Sequence, residues 1–189
     1  YDKIGRMLSR SLPLGMTETY SYGSCCNNPI SYTDFAGRVF TFEHDPMNRL
    51  VARTLPGGAT QAYTYNSIGN CTSVSDATGV TRYDYDSNQA LTRIVHPDGA
   101  EILYAYDTTG NRIRLAHPAG AVHYEYDSAN RLAKIVDSAS GETLFERDPF
   151  GNVTRIIRPN GVTTEFVYDP HHRPVQVVHR KQGGALLSS

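Results

Sequence analysis

The chain has no tryptophan, only three cysteines, and only three lysines among its 18 basic residues. The cysteines (Cys25, Cys26 and Cys71) are odd in number and form no CxxC pair, which excludes a disulfide framework and a thiol-based zinc site. In a meander, Cys71 lies about four strands from Cys25-Cys26, ~19 Å away and beyond disulfide reach, so free thiols are expected. No apolar run approaches the roughly 18 residues of a spanning helix. A net charge of −1 provides no bulk attraction for nucleic acid or an anionic membrane. GxSxG, HExxH and phosphate-loop motifs are missing. The seven histidines (His44, His96, His117, His123, His171, His172 and His179) share no spacing that would make a metal or general-base site. No catalytic, metal or cofactor residue is assigned. No basic stretch followed by an apolar one follows Tyr1-Asp2-Lys3, so no signal peptide is visible, and the start reads as internal to something longer.

What the chain does have is 13 Tyr and 16 Gly in 189 residues, and both are periodic. Segments such as YTYNSIGN (63–70), YAYDTTGN (104–111) and YEYDSANR (124–131) define a marker position. It is occupied by Asp2, Gly23, Asp45, Asn66, Asp86, Asp107, Asp127, Asp148 and Asp169, spaced 20 to 22 residues apart. One residue before it stand Tyr1, Tyr22, Tyr65, Tyr85, Tyr106, Tyr126 and Tyr168. Three before it stand Tyr20, Phe42, Tyr63, Tyr83, Tyr104, Tyr124, Phe145 and Phe166. Together these are 15 of the 19 Tyr and Phe, so the aromatic excess belongs to the repeat.

A second phase runs between the markers: LPGG ending at Gly58, HPDG at Gly99, HPAG at Gly120 and RPNG at Gly161, with DFAG (34–37) and DATG (76–79) as variants. Pro presets the first corner of a type I turn, and Gly supplies the left-handed residue that follows. The marker phase makes the other turn: the Asp carboxylate can accept from backbone N–H groups two residues on, and a residue such as Gly110 or Gly151 takes φ > 0.

Six or seven residues separate the turns, a strand of roughly 20 Å. In 121–127, Val122, Tyr124 and Tyr126 alternate with His123 and Glu125. The returning strands alternate less cleanly, with Leu50, Leu91, Leu132 and Val153 five residues after the marker and Ile94, Leu115, Ile135 and Ile156 eight after. The expected fold is all-β, a tandem array of antiparallel hairpins of ~21 residues over residues 1–184, followed by a polar tail at 185–189. About seventeen or eighteen strands in one sheet must curl, split or close. The expectation is an open or spiralling shell wall with unpaired edges.

Y-x-Y-D-x-x-G-[NR], followed by P-x-G about eleven residues later, resembles the YD repeat of the Rhs family, whose relatives include toxin-complex shell proteins, wall-associated YD proteins and the teneurins. The resemblance covers essentially the whole chain. It implies a spiralling, often hollow β-shell that encloses a C-terminal toxin or cargo domain in bacterial members, secreted or delivered to target cells. In teneurins the shell is an extracellular scaffold for recognition. The implied partners are other YD repeats and the enclosed domain, with a glycan as a further candidate, and neither nucleic acid nor membrane insertion by this segment. Departures are Gly23-Ser24-Cys25-Cys26-Asn27-Asn28 in the second unit, and Asn48, Gln89 and His172 in place of the turn Gly. No DPxGL-type ending is present, so the expected role is that of a shell segment without plug, protease or toxin.

Arg or Asn usually follows the turn Gly: Arg6, Asn27, Arg49, Asn70, Asn111, Arg131, Asn152 and Arg173. This column reads either as a ladder for a polyanion or glycan, or as cross-strand pairing with the acidic turn residues. The second is expected, because a column present in every repeat is what folding itself requires. The Tyr/Phe column reads as the packed or lumen-facing side of the sheet rather than a sugar platform. Asn70-Cys71-Thr72 and Asn152-Val153-Thr154 are acceptor sequons, meaningful only in a eukaryotic secretory context.

Overall fold

The computed structural model describes residues 1–24, 27–181, 183 and 185–188. The Cys25-Cys26 pair lies outside them. The chain divides into two compact units, Tyr1–Gly99 and Ala100–Ser189. The first holds β1 (Ser9–Ser11), β2 (Thr17–Tyr22), β3 (Pro29–Thr33), β4 (Val39–His44), β5 (Leu50–Thr54), β6 (Thr60–Tyr65), β7 (Cys71–Asp76), β8 (Gly79–Tyr85) and β9 (Leu91–Val95). The second holds β10 (Glu101–Tyr106), β11 (Arg112–His117), β12 (Gly120–Tyr126), β13 (Leu132–Asp137), β14 (Gly141–Arg147), β15 (Val153–Ile157), β16 (Thr163–Tyr168), β17 (Pro174–Arg180) and β18 (Leu186–Ser188). Within each unit every strand pairs antiparallel with its sequence neighbours, which is the tandem hairpin array expected from the two turn phases. β18 falls in the segment expected to be a tail, and it pairs with β17 instead of trailing from it.

The uneven alternation of the returning strands has a geometric cause. Glu125 pairs with Lys134 and Tyr126 with Leu132, so Ala133 is an extra residue, a β-bulge. The same shift recurs at Val51, Thr72, Thr92, Ile113, Thr154 and Val175. Leu132 and Ile135 are three apart, an odd number that would put them on opposite faces of a regular strand. The bulge absorbs one residue and returns both to the aromatic side, where Ile135 faces Tyr124.

Each unit is a single layer, so no conventional core exists. Val178, at 8% exposure, is the only buried apolar side chain among the described residues. The chain exposes 12178 Å², against roughly 9,000 Å² for a compact monomer of its mass. Stability therefore rests on ladders, turns and half-buried side-chain columns.

Candidate functional site

Three surfaces repeat along the array: the marker-turn rim, the second-turn rim and the aromatic face. At the marker rim, one carboxylate oxygen of each Asp accepts from two backbone N–H groups. For Asp127 these belong to Ala129 and Arg131, both at 2.9 Å. The same pair of bonds forms at Asp2, Asp45, Asp86, Asp107, Asp148 and Asp169, and at Asn66 through its amide oxygen. The second oxygen takes the residue after the left-handed position. Arg131 Nε donates to Asp127 at 2.8 Å and Arg173 Nε to Asp169 at 2.7 Å, while Asn111 and Asn152 donate to Asp107 and Asp148. This corrects the cross-strand pairing expected for the Arg/Asn column: each pair closes its own turn.

These bonds favour the charged carboxyl. In Asp2, Asp34, Asp45 and Asp169 the backbone N–H four residues on is the largest cause holding the carboxyl below its ordinary range. In Asp127 and Asp148 it is the side chain of that residue. In Asp107 the Asn111 and Thr109 side chains bring it down to about 2.

Asp34-Phe35-Ala36-Gly37-Arg38 carries the same chemistry on the opposite rim. Asp34 accepts from the Ala36 and Arg38 amides at 2.9 Å and from Arg38 Nε at 2.7 Å. Its DxxGR string was the signal, hidden because it falls in the second phase. Elsewhere on that rim consecutive turns touch through glycine and proline. A Cβ on Gly79 would sit 2.7 Å from Pro97 Cβ, so this turn accepts its neighbour only without a side chain.

The tyrosine before the marker ties its repeat to the one before. The phenol of Tyr65 donates to the Leu50 carbonyl at 2.7 Å, that of Tyr85 to Cys71 at 2.8 Å, that of Tyr126 to Arg112 at 3.0 Å and that of Tyr168 to Val153 at 2.9 Å. In each case the acceptor immediately precedes a bulged residue. The aromatic residues three before the marker lie on the same face of the strand and pack against aliphatic partners. Tyr63 lies opposite Val74, Tyr83 opposite Ile94, Tyr104 opposite Leu115, Tyr124 opposite Ile135, Phe145 opposite Ile156 and Phe166 opposite Val177. All of these rings are half-buried. On the other face Lys134 lies between Glu125 and Glu142, and Arg155 between Glu146 and Glu165, so the charges pair locally.

Three polar clusters lie on the aromatic side and were not expected from the sequence. Glu18, 2% exposed, is held by Arg10 Nε at 2.7 Å and by the phenols of Tyr20 and Tyr32 at 3.1 Å. Burial pushes its carboxyl up, but those three donors together outweigh burial and leave it below its ordinary value. Arg53, Gln61 and Tyr63 repeat the arrangement two repeats on. In the second unit, Thr164 accepts from Arg158 at 2.7 Å and shares a hydrogen bond with His179. The spacing, a polar residue two before the aromatic and Arg eight after the marker, was readable for the first two.

Among the described residues no three His, Cys, Asp or Glu side chains gather to hold a metal, and no helix is long and apolar enough to cross a membrane. Cys71 is a free thiol, pushed up by burial. Both sequon amides are engaged, Asn70 with Gln89 and Asn152 with Asp148 and His172.

The family model described as Teneurin YD-shell matches residues 1–173. No curated protein matches the chain. Among solved structures, a chain of the TcdB2-TccC3-Cdc42 crystal structure superposes with a TM-score of 0.71 at 20% identity, over 84% of this chain and 10% of that one. The TcdB2-TccC3-TEV structure gives 0.69 at 16% identity, over 92% and 11%. The Photorhabdus luminescens Tc holotoxin pore gives 0.57 at 20% identity, over 90% and 9%. The chain thus spans about a tenth of the chains it resembles.

Proposed function

The chain belongs to the teneurin YD-shell family, and from that premise we propose that it is a stretch of wall in a hollow β-shell. It is a non-enzymatic structural part of a secreted or delivered bacterial toxin-type protein, and the shell encloses a C-terminal toxin or other cargo domain. The observation that carries this reading is the half-exposed aromatic and aliphatic column on one side of a single layer. Half-exposed rings in so continuous a column suit a lumen wall, whereas the opposite face pairs its charges and suits solvent. Other repeats of the same kind are its immediate partners. Electron microscopy of the longer protein containing this stretch, with protease digestion of the cargo, tests the reading. Tyr124, Ile135 and Phe145 are expected to line a cavity and the cargo to resist cleavage. The proposal fails if that face lies outside, or if the cargo is cut as fast as when expressed alone. Hydrolase and nuclease assays on the chain are expected to be blank.

A second reading, an extracellular recognition scaffold for glycan or protein, is favoured by one feature. Phe150 is 78% exposed at a turn tip, its ring 5.0 Å from that of His172, beside a groove that also contains Asn152 and Tyr168. Saturable binding on a glycan array, lost in Phe150→Ala, would support it.

A further inference from the structure

Glycine and larger residues alternate at the left-handed position of the marker turns: Asn48 (φ 63°), Gly69 (97°), Gln89 (69°), Gly110 (88°), Asn130 (62°), Gly151 (98°) and His172 (61°). The repeat of about 21 residues is therefore a half-period, and neighbouring turns come in two kinds. Contacts between consecutive turns follow the alternation. Asn70, which follows Gly69, donates to the Gln89 side chain at 2.8 Å. Asn111, which follows Gly110, donates to the Asn130 side chain, and Asn152, after Gly151, bonds His172 Nδ1 at 2.9 Å.

For Arg49 and Arg131 the next turn has glycine, whereas the sequence places Cys26, outside the described residues, at that position after Arg6. Arg49 reaches the Asn66 carbonyl at 3.2 Å, with its guanidinium 4.8 Å from the centre of the Tyr65 ring, and the turn it covers contains Gly69. Arg131 precedes Gly151, and a Cβ built there would lie 2.6 Å from Arg131 Nη1. A Cβ on Gly69 would meet nothing within 4 Å, so the close approach is between Arg131 and Gly151. The chemistry of both halves is simple. Asn is short, spends one amide hydrogen on the Asp of its own turn at Asn111 and Asn152, and leaves a gap that the neighbour's side chain fills by reaching back. Arg is long and flat and lies across the next turn, where its guanidinium would have to swing aside to admit a side chain.

We infer that the residue after the left-handed position selects the turn that docks beside it: Asn takes a neighbour with a polar side chain at its left-handed position, and Arg takes one with glycine. The rim is thus an interaction surface with a two-letter matching rule, whether or not the wall encloses cargo.

Exchanging the letters in the full chain tests the rule by urea unfolding. Gly151→Asn alone is expected to lower the folding equilibrium constant. Adding Arg131→Asn, which restores an Asn-to-Asn pair like Asn111 with Asn130, is expected to recover about tenfold relative to the product of the two single effects. The reverse cycle uses Asn152→Arg and His172→Gly, with the double variant again better than its parts. If Gly151→Asn does not fold, recovery of folding in the double variant supports the rule, and otherwise the reverse cycle decides. Single effects that multiply to within about twofold in the cycles that can be measured overturn it.

Discussion

Arg147 Nη2 donates to the carbonyl oxygen of Leu132 at 3.1 Å, the place that a tyrosine phenol takes in neighbouring repeats. Arg147 stands one residue before Asp148, where the repeat calls for Tyr, and Leu132 immediately precedes the bulge at Ala133. A guanidinium has therefore taken over a phenol's bond. Its Nε, however, is buried without a partner. Arg147→Tyr is accordingly expected to leave stability unchanged or raise it, while Arg147→Leu loses about 1 kcal/mol by leaving the Leu132 carbonyl unpaired. Urea unfolding of the two variants distinguishes a conserved bond from mere space-filling.

The phenol bonds themselves predict a contrast within one strand. Tyr126→Phe removes the bond to the Arg112 carbonyl and is expected to cost about 0.5–1.5 kcal/mol. Tyr124→Phe, whose hydroxyl meets only Arg112 Nη2 at 3.3 Å, should cost less. Equal losses in thermal or urea unfolding would refute the difference.

Acid should act on the marker rim. The carboxyls of Asp2, Asp45, Asp107, Asp127, Asp148 and Asp169 are depressed in the folded chain, Asp107 to about 2, from an unfolded value of roughly 3.9. A depressed carboxyl contributes stability that is present above its unfolded value and is lost as pH falls through the folded one. Stability is therefore expected to be flat from neutral pH to about 5 and to decline between about 4 and 2. Asp107→Asn should shallow that decline; an unchanged pH profile would rule out Asp107 as a contributor.

The bulge predicts that β13 tolerates the loss of its extra residue. Removing Ala133 leaves Leu132 and Ile135 two apart, so β13 becomes regular with both still on the aromatic side. Removing Ala139, in the turn between Asp137 and Gly141, shortens a loop only. Amide exchange across β12 to β14 should survive outside the bulge in the first case and outside the turn in the second; collapse on removal of Ala133 would show that the array requires the bulge itself.

Much of this was legible because the turns are local. An Asp and the amides it binds lie within four residues of each other, so marker positions such as Asp127 and Asp148 and strand faces such as Val122, Tyr124 and Tyr126 follow from neighbouring letters alone. What escaped needed a second strand or a second repeat. The bulge at Ala133 is defined by what Tyr126 pairs with, although the odd spacing of Leu132 and Ile135 hinted at it. The partner of Arg131 was misread because the Asp of its own turn is nearer than any residue across the strand. Arg147 broke the tyrosine column by letter while keeping it by chemistry, and the alternation of Gly151 with His172 shows only when every other repeat is compared.

Strand pairing only between sequence neighbours within each unit gives the polypeptide a direction of assembly. Each hairpin needs only the one made just before it, so the order of synthesis can be the order of folding, and no strand waits for a distant partner. A chain drawn through a narrow opening could come apart from one end and rebuild itself from whichever end emerges first. Damage in one repeat would halt that progress locally, leaving the hairpins already laid down in place.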